Sequence, residues 1–580
     1  MASVQQNEWF KSLDASKQKI IETIIENHEA LRQDLTGQLQ SLTLEHQKTR
    51  KALFNQAEQD RKTQLQHSIL ESLRFPTMES RQETIALAHK RTFKWIFRDP
   101  VIEDKPWSNF IDWLENGNGI YWITGKPGSG KSTLMRFIVD NPKTDSRLKL
   151  WAKDGLIEVP RFFFWAAGDT LQRSQTGLLR TLLVGILERQ PHLLSEVFPK
   201  EWTRIYNLLR NNVRLSFADW TLPRLQHAFE RLLGHASPEL RFCLFIDGLD
   251  ECEGDHDEFA EFLSSLAQSE YIKLCISSRT EIVFMEAFKN GPKLRLQDMT
   301  AGDIHDFVND RLKENKNMAQ LMAKEPQATR DLINSVVRGA DGVFLWVNLV
   351  IKSLSTGLRE RNDFSILRRR LEVLPKDMES LYAHLLSSIE PLHLLEGLKI
   401  FLFQSLHKRF HPSLKLDHLY LALKAELEHV LNAPILRDSP EAITYYESLG
   451  IVVDRDSIAE YMENILKTRC GGLLEIQPCI HSQELSLNYI HRTAKDYIHQ
   501  PKIWNKILEH TEKCDYSDPY LSLFMGSVLL LKINWVEISA SDRFELIDLW
   551  YHAAYYAGHI GLQESTIQLL VIISFFAWCH

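Results

Sequence analysis

The residues with the clearest chemical pattern lie in one glycine-rich stretch, where Gly125 is followed after four residues by Gly130-Lys131-Ser132. This spacing matches the G-x-x-x-x-G-K-[ST] pattern of a phosphate-binding loop. Glycines let backbone N–H groups turn toward phosphate oxygens, Lys131 can reach the terminal phosphates, and the Ser132 hydroxyl is a Mg²⁺ ligand. We therefore predict a nucleotide site built by Gly125, Lys126, Pro127, Gly128, Ser129, Gly130, Lys131, Ser132 and Thr133.

Carboxylates suited to Mg²⁺ and water chemistry follow a second apolar run, Phe242–Asp247. Asp247 ends this run, and Asp250 and Glu251 come within the next four residues. An acid at the tip of a buried strand beside a phosphate loop is placed to hold Mg²⁺, and a further acid nearby can polarise the attacking water. We predict Asp247 and Ser132 as the metal residues, Glu251 as the general base and Asp250 as the alternative base.

A positively charged residue, Arg279, follows a third apolar run, Ile272–Ser277. In a doubly wound sheet the tip of this strand would lie close to the tip of the first strand. Arg279 is then placed to contact the γ-phosphate through a charge-assisted hydrogen bond. The ordinary alternative is a solvated surface arginine.

These residues can meet only if the apolar runs before them are neighbouring parallel strands. Between Val101 and Leu296 predicted strands alternate with predicted helices, which indicates an α/β fold with a doubly wound parallel sheet. The strands are predicted at Ile120–Thr124, Arg161–Ala166, Phe242–Asp247, Ile272–Ser277 and Lys293–Leu296. The helices are predicted at Leu134–Val139, Thr176–Glu188, Leu222–Leu233 and Glu258–Gln268.

Long helices are predicted before this sheet, because residues 13–73 contain no proline and are rich in Gln, Glu, Lys and Leu. Apolar residues recur there at a spacing of three or four, which fits either a coiled coil for self-association or a helical hairpin packed on its own chain. Pro76 ends the helix. The aromatic patch Thr92–Phe97 either packs in a core or faces the nucleotide.

Helices also dominate the chain after Thr300, including predicted ones at Asp303–Lys313 and Gly342–Leu354. A predicted hairpin, Leu473–Ile476 and Leu487–Ile490 across the turn His481–Ser486, precedes a short helix, Ala494–Ile498, that Thr493 is expected to cap. This arrangement suggests a winged helix. Further helices are predicted at Ser517–Lys532 and Ser541–Leu570, and the apolar stretch Val571–Cys579 resembles an unfinished core element.

Composition is that of a globular intracellular protein. The formal net charge of −8 argues against nucleic acid as a partner, and seven scattered cysteines argue against a disulfide framework or a zinc site. The polar N-terminus predicts no signal peptide, and the longest apolar run, Leu569–Cys579, is too short to span a bilayer. We expect a cytoplasmic location.

The sequence resembles the NACHT branch of the STAND NTPases, and more narrowly the fungal NOD-like receptors of heterokaryon incompatibility and innate immunity. The resemblance covers roughly residues 70–500. It is carried by Gly125–Ser132, Asp247–Glu251, Ser277–Arg279, Ser72–Phe75 with Arg81 and Thr92–Phe97, Gly342–Val347 and Leu374–Tyr382. It implies an ATPase core, a helical subdomain, a winged-helix domain, and switching between a closed ADP-bound and an open ATP-bound state.

The resemblance also implies a role for His491, at the position where related proteins hold the β-phosphate of ADP, although a lone histidine is more often structural. One motif departs from the family. Gly342-Val343-Phe344-Leu345 lacks the proline that many relatives place beside the adenine, and the chain has no Asn-Lys-x-Asp guanine motif. The expected regions are long helices 1–73, connector 74–100, NTPase core 101–299, helical subdomain 300–388, winged-helix-like domain 389–500 and C-terminal helices 501–580.

The leading hypothesis is an ADP/ATP-operated signalling switch with slow ATP hydrolysis and Mg²⁺ as the metal. We expect a homo-oligomer on activation and an effector protein whose identity is open. The alternatives are an AAA+-like motor, for which neither an arginine finger nor a pore loop is identifiable, and a winged-helix regulator that binds nucleic acid. No repeat of 30 to 50 residues of the kind that family members use as ligand sensors is detectable.

Overall fold

The computed structural model describes residues 2–98, 107–210, 220–359, 364–408, 414–434, 440–452, 454–478, 484–512, 518–533 and 543–560. The chain divides into two compact units, Met1–Leu73 with Gln190–Asp219 and Arg74–Arg189 with Trp220–His580. The predicted element Val571–Cys579 and the centre of the predicted turn His481–Ser486 lie outside the described residues.

The first unit is dominated by one α-helix, Ala2–Leu73, of 72 residues. At 1.5 Å per residue it is about 108 Å long. Its predicted seam stays largely exposed, with 55% of Ile21, 62% of Leu31 and 62% of Leu42 accessible. The helical-hairpin alternative is wrong, because the chain does not turn back on itself within this segment, and the coiled coil stays a prediction. The other helices of this unit are Pro191–Leu193, Leu194–Val197 and Pro199–Arg210.

The second unit contains a six-stranded sheet in which every described pairing is parallel, and this confirms the predicted doubly wound α/β class. The main strand order is β2-β4-β5-β1-β6, and β3 also pairs with β4. The strands are β1 Gly119–Thr124, β2 Leu156–Glu158, β3 Arg161–Phe163, β4 Leu240–Asp247, β5 Ile272–Ser278 and β6 Lys293–Arg295.

The predicted strands are recovered with one addition. The extra strand, β2, has only three residues, Leu-Ile-Glu, which is too short for an alternating pattern to be visible in the sequence. Strand β3 ends three residues before the predicted bound of Ala166, because the main chain at Trp165 donates to Gln172 O at 3.0 Å and turns away from the sheet.

Helices cover the sheet and form most of the remainder of the unit. Around the sheet they are Ser80–Thr84, Lys94–Phe97, Phe110–Glu115, Lys131–Val139, Pro142–Ala152, Gln175–Leu187, Leu222–Leu233, Leu249–Glu251, His256–Leu266, Ile282–Ala287 and Leu296–Met299. The next group is Ala301–Glu314, Lys316–Lys324, Pro326–Ala340, Phe344–Arg359, Phe364–Val373, Met378–Ser387 and Pro391–Lys408. The last group is Leu416–Lys424, Leu427–Asn432, Pro440–Ser448, Arg455–Arg469, Arg492–Ile498, Pro501–Glu512, Pro519–Ile533 and Arg543–Ala557.

A small antiparallel sheet lies among the last group of helices, with strands β7 Leu414–Lys415, β8 Leu474–Pro478 and β9 Leu485–Tyr489 in the order β7-β9-β8. The β8–β9 pairing confirms the predicted hairpin. The predicted cap of the following helix is wrong. Its N-cap is His491, whose Nδ1 accepts from the Thr493 main-chain N–H at 3.2 Å, while the Thr493 hydroxyl bonds the Tyr382 hydroxyl at 2.7 Å.

One buried carboxylate ties the connector after Pro76 to the helices that follow the sheet. Oδ2 of Asp303 accepts from the Phe93 main-chain N–H at 3.0 Å and from the Trp95 indole N–H at 2.8 Å. Phe93 has φ 62, the left-handed region that a bulky residue occupies only when its surroundings hold it there. Burial raises the pKa of Asp303, and the two donors lower it.

The substitution Asp303→Ala should lower the apparent free energy of unfolding by about 1–3 kcal/mol, because two donors lose their acceptor and one of them is fully buried. Urea unfolding followed by tryptophan fluorescence measures this. The matched control is Asp306→Ala on the same helix, which is more exposed and should change the value by less than about 0.5 kcal/mol. Equal effects of the two substitutions would contradict the assigned role of Asp303.

Candidate functional site

The phosphate loop begins directly after β1 and ends at the first turn of helix Lys131–Val139. Gly128 and Gly130 have φ values of +73 and +96, which a residue with a side chain rarely adopts. Gly128 is also crowded, since a Cβ there would come within 2.8 Å of Leu345 Cβ. The loop therefore forms a backbone curl that contains Gly125 and Pro127 and leads into a helix N-terminus. Ser132 and Thr133 lie in the first turn of that helix, and this is an anion-binding arrangement.

Lysine 131 is the cation at the centre of this loop. Its Nζ donates to the carbonyl oxygens of Gly125 at 2.9 Å and of Lys126 at 3.3 Å. Burial lowers its pKa, while the charges of Asp250 and Asp247 raise it. The other loop lysine, Lys126, pairs instead with Asp341.

The loop packs against the segment that departs from the family motif. The Leu345 main-chain N–H donates to Gly128 O at 3.1 Å, and Phe344 lies beside Gly130 together with Phe93. The aromatic connector patch, Thr92–Phe97, was predicted either to pack in a core or to face the nucleotide. Phe93 of this patch is buried in the core and also borders the phosphate loop.

The acid Asp247 lies at the end of β4 and is 1% exposed. One of its carboxylate oxygens accepts from the Ser277 hydroxyl, and the other, Oδ2, is buried with no hydrogen-bond partner among the described residues. Burial raises the pKa of Asp247, whereas the Ser132 and Ser277 hydroxyls and the charges of Arg81 and Lys131 lower it. Ser129 Oγ is likewise buried without a partner in the described chain.

The two candidate bases have different surroundings. Glu251 accepts from the Ala166 main-chain N–H at 2.8 Å, and burial raises its pKa against the opposing charge of Arg81. Asp250 accepts from the Arg279 main-chain N–H at 2.9 Å and pairs with Arg279 Nε at 3.0 Å. Asp250 is thus buried in an ion pair, whereas the half-buried Glu251 carboxylate is held by a main-chain donor.

Residues from far along the chain complete the site. Arg492 donates to the Asp250 main-chain oxygen at 3.2 Å and lies 3.6 Å from its Oδ2. Burial lowers the pKa of His491 to about 3, and the charges of Arg279, Lys131, Arg81 and Arg492 lower it as well. Because His491 Nδ1 accepts from a main-chain N–H, the proton of the neutral ring is on Nε2.

Predicted site residues thus gather at one place. The charges of Asp247, Asp250, Glu251 and Arg279 act on Lys131, and the charges of Lys131 and Arg279 act on His491. Sequence reasoning assigned no role to Arg81 or Arg492. Arg81 stands in a connector with no chemical motif of its own, and Arg492 is 242 residues from Asp250. Two signals were available, since Arg81 is among the residues that carry the resemblance and Arg492 follows the histidine that the resemblance singles out.

Residues 91–279 match the family model "Nephrocystin 3, N-terminal". The chain is also 27% identical over 392 residues to the vegetative incompatibility protein HET-E-1 of Podospora anserina, an alignment that covers 65% of this chain. These matches support the resemblance of this chain to the NACHT-type STAND NTPases. The matched residues 91–279 include the whole phosphate loop and the acids Asp247, Asp250 and Glu251 at the β4 tip. The alignment covers 24% of HET-E-1, so the chain spans about a quarter of that relative.

Other comparisons are weaker. Residues 445–542 match a domain of unknown function, DUF7791. A STAND protein with a tetratricopeptide repeat sensor from Pyrococcus horikoshii aligns over 83% of this chain and 60% of its own, at 12% identity and a TM-score of 0.31. Cdc6p from Pyrobaculum aerophilum aligns over 69% of this chain and 90% of its own, at 12% identity and a TM-score of 0.25. No property of these proteins is transferred to this chain at such TM-scores.

Among the helices that the structure describes, none is both long enough and apolar enough to cross a bilayer.

The substitution Lys131→Ala should abolish nucleotide retention, because it removes the buried cation from the phosphate loop. Retained nucleotide is measured by chromatography after the purified protein is denatured. Lys149→Ala is the control, since this exposed lysine pairs with Asp145 on helix Pro142–Ala152, and it should retain nucleotide. Wild-type retention in Lys131→Ala would refute the assignment.

Hydrolysis should separate the two candidate bases. Glu251→Gln should keep ATP bound and slow its hydrolysis by roughly 10²–10⁴-fold, as expected for loss of a general base. Asp250→Asn should slow it less, because Asp250 holds arginines. Single-turnover release of phosphate provides the measurement. Normal hydrolysis by Glu251→Gln with slow hydrolysis by Asp250→Asn would exchange the two roles.

Proposed function

We propose that this protein is a nucleotide-operated signalling switch with slow ATP hydrolysis, acting in fungal self/non-self recognition or programmed cell death. The observation that carries the proposal is the contact of Arg492, on the helix after the small sheet, with Asp250 at the tip of β4. A segment 242 residues away is thereby held at the phosphate site. Any change in the bound nucleotide acts on that contact.

The nucleotide roles follow from the charges. Lys131 binds the terminal phosphates, Arg279 contacts the γ-phosphate, and Glu251 polarises the attacking water. Asp250 positions Arg279 through two contacts, because Oδ1 accepts from the Arg279 main-chain N–H and Oδ2 pairs with Nε of its guanidinium group. The raised pKa of Glu251 favours this residue over Asp250 as the proton acceptor.

Mg²⁺ fits the donors at the β4 tip. The described residues contain no group of three or more His, Cys, Asp or Glu side chains arranged around a metal position. Mg²⁺ commonly uses one carboxylate, water and substrate phosphates rather than a full protein cage. Asp247 Oδ2, buried without a partner in the described chain, and the Ser132 hydroxyl would hold the ion. It would supply charge neutralisation at the β- and γ-phosphates.

The diphosphate state is proposed to depend on His491. Its Nε2–H is a neutral donor in a site already crowded with positive charge, which suits a β-phosphate oxygen. A charge-assisted hydrogen bond contributes about 1.5–3 kcal/mol, and inverting a two-state population from 1:99 to 99:1 takes about 5.5 kcal/mol. Two or three such contacts that differ between ADP and ATP therefore suffice for switching.

Assembly is the proposed output. The exposed seam of helix Ala2–Leu73 provides a surface for self-association once the closed state is released. The domain division at residues 73, 100, 299, 388 and 500, the winged-helix character of the region around β7–β9, and the effector protein all belong to this proposal.

The first test is the identity of the bound nucleotide. Wild-type protein purified without added nucleotide and then denatured should release ADP. Release of a guanine nucleotide would overturn the adenine assignment, and absence of any nucleotide at saturating ADP would overturn the switch.

His491→Ala should weaken the closed state by about 1–3 kcal/mol, roughly a five- to hundred-fold population shift, because it removes a contact made only to ADP. Light scattering at matched concentration should show a larger mass for the mutant under ADP, and equal masses with a non-hydrolysable ATP analogue. His499→Ala on the same helix is the control, since His499 bonds Lys495 O and Ser405 away from the site.

Equal masses of His491→Ala and wild type under ADP would remove the proposed role of His491. A rise in mass that persists after deletion of residues 13–73 would leave that role standing and exclude the long helix as the assembling element.

A further inference from the structure

The connector between the long helix and the NTPase core contains a short helix, Ser80–Thr84, and hydrogen bonds hold it on two sides. On one side the Gln172 amide donates to Ser80 Oγ at 2.6 Å and to the Thr77 carbonyl at 3.1 Å. On the other side Arg136, on the helix that follows the phosphate loop, donates to the Glu83 carbonyl at 3.1 Å. The position of this helix is therefore coupled to the phosphate loop.

Arg81 projects from this helix toward the acids of the site. Its guanidinium carbon lies 5.4 Å from the ring centre of Trp165, the residue before the Ala166 amide that binds Glu251. Of the charges around Glu251, that of Arg81 lowers the pKa of this acid most, and it also lowers the pKa of Asp247 and of His491.

The Arg81 side chain has an unused donor. Its Nε is buried and makes no hydrogen bond with any residue that the structure describes. A buried guanidinium with an unsatisfied N–H is costly, and such groups are normally paired with an anion. The position between the metal acid Asp247 and the base Glu251 is where the terminal phosphate of a bound triphosphate would lie in the proposed function.

We propose that Arg81 is a nucleotide-contacting residue that donates to the γ-phosphate and so makes the connector sensitive to the number of phosphates. The proposal rests on the assignment of Asp247 and Glu251 to the γ-phosphate end of the site. A planar guanidinium suits this role because it offers several donors in a fixed geometry to one phosphoryl group. ATP would then contact helix Ser80–Thr84 through Arg81, and ADP would not. This helix begins after a gap of six residues from the end of Ala2–Leu73.

The test compares affinities of the full chain for ADP and for a non-hydrolysable ATP analogue with Mg²⁺, measured by equilibrium dialysis after nucleotide removal. Arg81→Gln should weaken binding of the ATP analogue about 10- to 100-fold and change ADP binding by less than about three-fold. Arg74→Gln, an exposed arginine on the same connector that pairs with Glu188, should change neither.

Equal weakening of both nucleotides by Arg81→Gln, or no change in either, would overturn the role of Arg81. If Arg81→Gln does not fold, the same affinities are measured with Arg81→Lys, which keeps the charge and loses the planar set of donors. This variant should bind the ATP analogue at least about five-fold more weakly, and its affinity for ADP should be unchanged. Equal loss for both nucleotides in that variant would likewise overturn the proposal. Failure of the proposed function can be told apart from failure of the Arg81 proposal. If the proposed function fails, Lys131→Ala retains nucleotide, whereas failure of the Arg81 proposal alone leaves the loss of nucleotide in Lys131→Ala intact.

Discussion

The arrangement of the site depends on one constraint, the position of β5 between β1 and β4 in a parallel sheet. In this register Thr124 at the end of β1 is level with Ser278, and Ile246 near the end of β4 is level with Ile276. Parallel strands end at the same edge, so the phosphate loop, Asp247 and Arg279 emerge side by side. The connector and the helix after the small sheet then approach this one edge.

Charge balance is the second organising feature. Four cations, Arg81, Lys131, Arg279 and Arg492, act on the site together with the carboxylates Asp247, Asp250 and Glu251. Burial lowers the pKa of His491, and the surrounding positive charges lower it further. The cations come from four separate segments of the chain. In the proposed function, a nucleotide that gains or loses one phosphate would act on all four segments at once, which would be the physical basis for a switch.

Local patterns predicted much of this. The phosphate loop, the acid that ends β4 and the alternation of strands and helices depend on neighbours in sequence, and their bounds agree with the structure to within a few residues. Errors arose where a longer-range contact decided the outcome. Thr493 seemed to be a cap by residue type, but its hydroxyl bonds Tyr382, and the histidine before it caps the helix instead. Strand β2 exists because β4 pairs with it, not because its three residues favour a strand.

The sequence by itself determined that the chain binds nucleotide, where the phosphate loop lies, and that a parallel sheet must position this loop. These features can be read from the sequence because the conformational freedom of glycine and the periodicity of strands are local properties. Only the tertiary structure decided that Asp250 is paired while Glu251 is held by a main-chain donor, and that Arg81 and Arg492 belong to the site. Those facts depend on which side chains become buried together. Burial and pairing at distances of tens to hundreds of residues leave no periodic trace in the sequence.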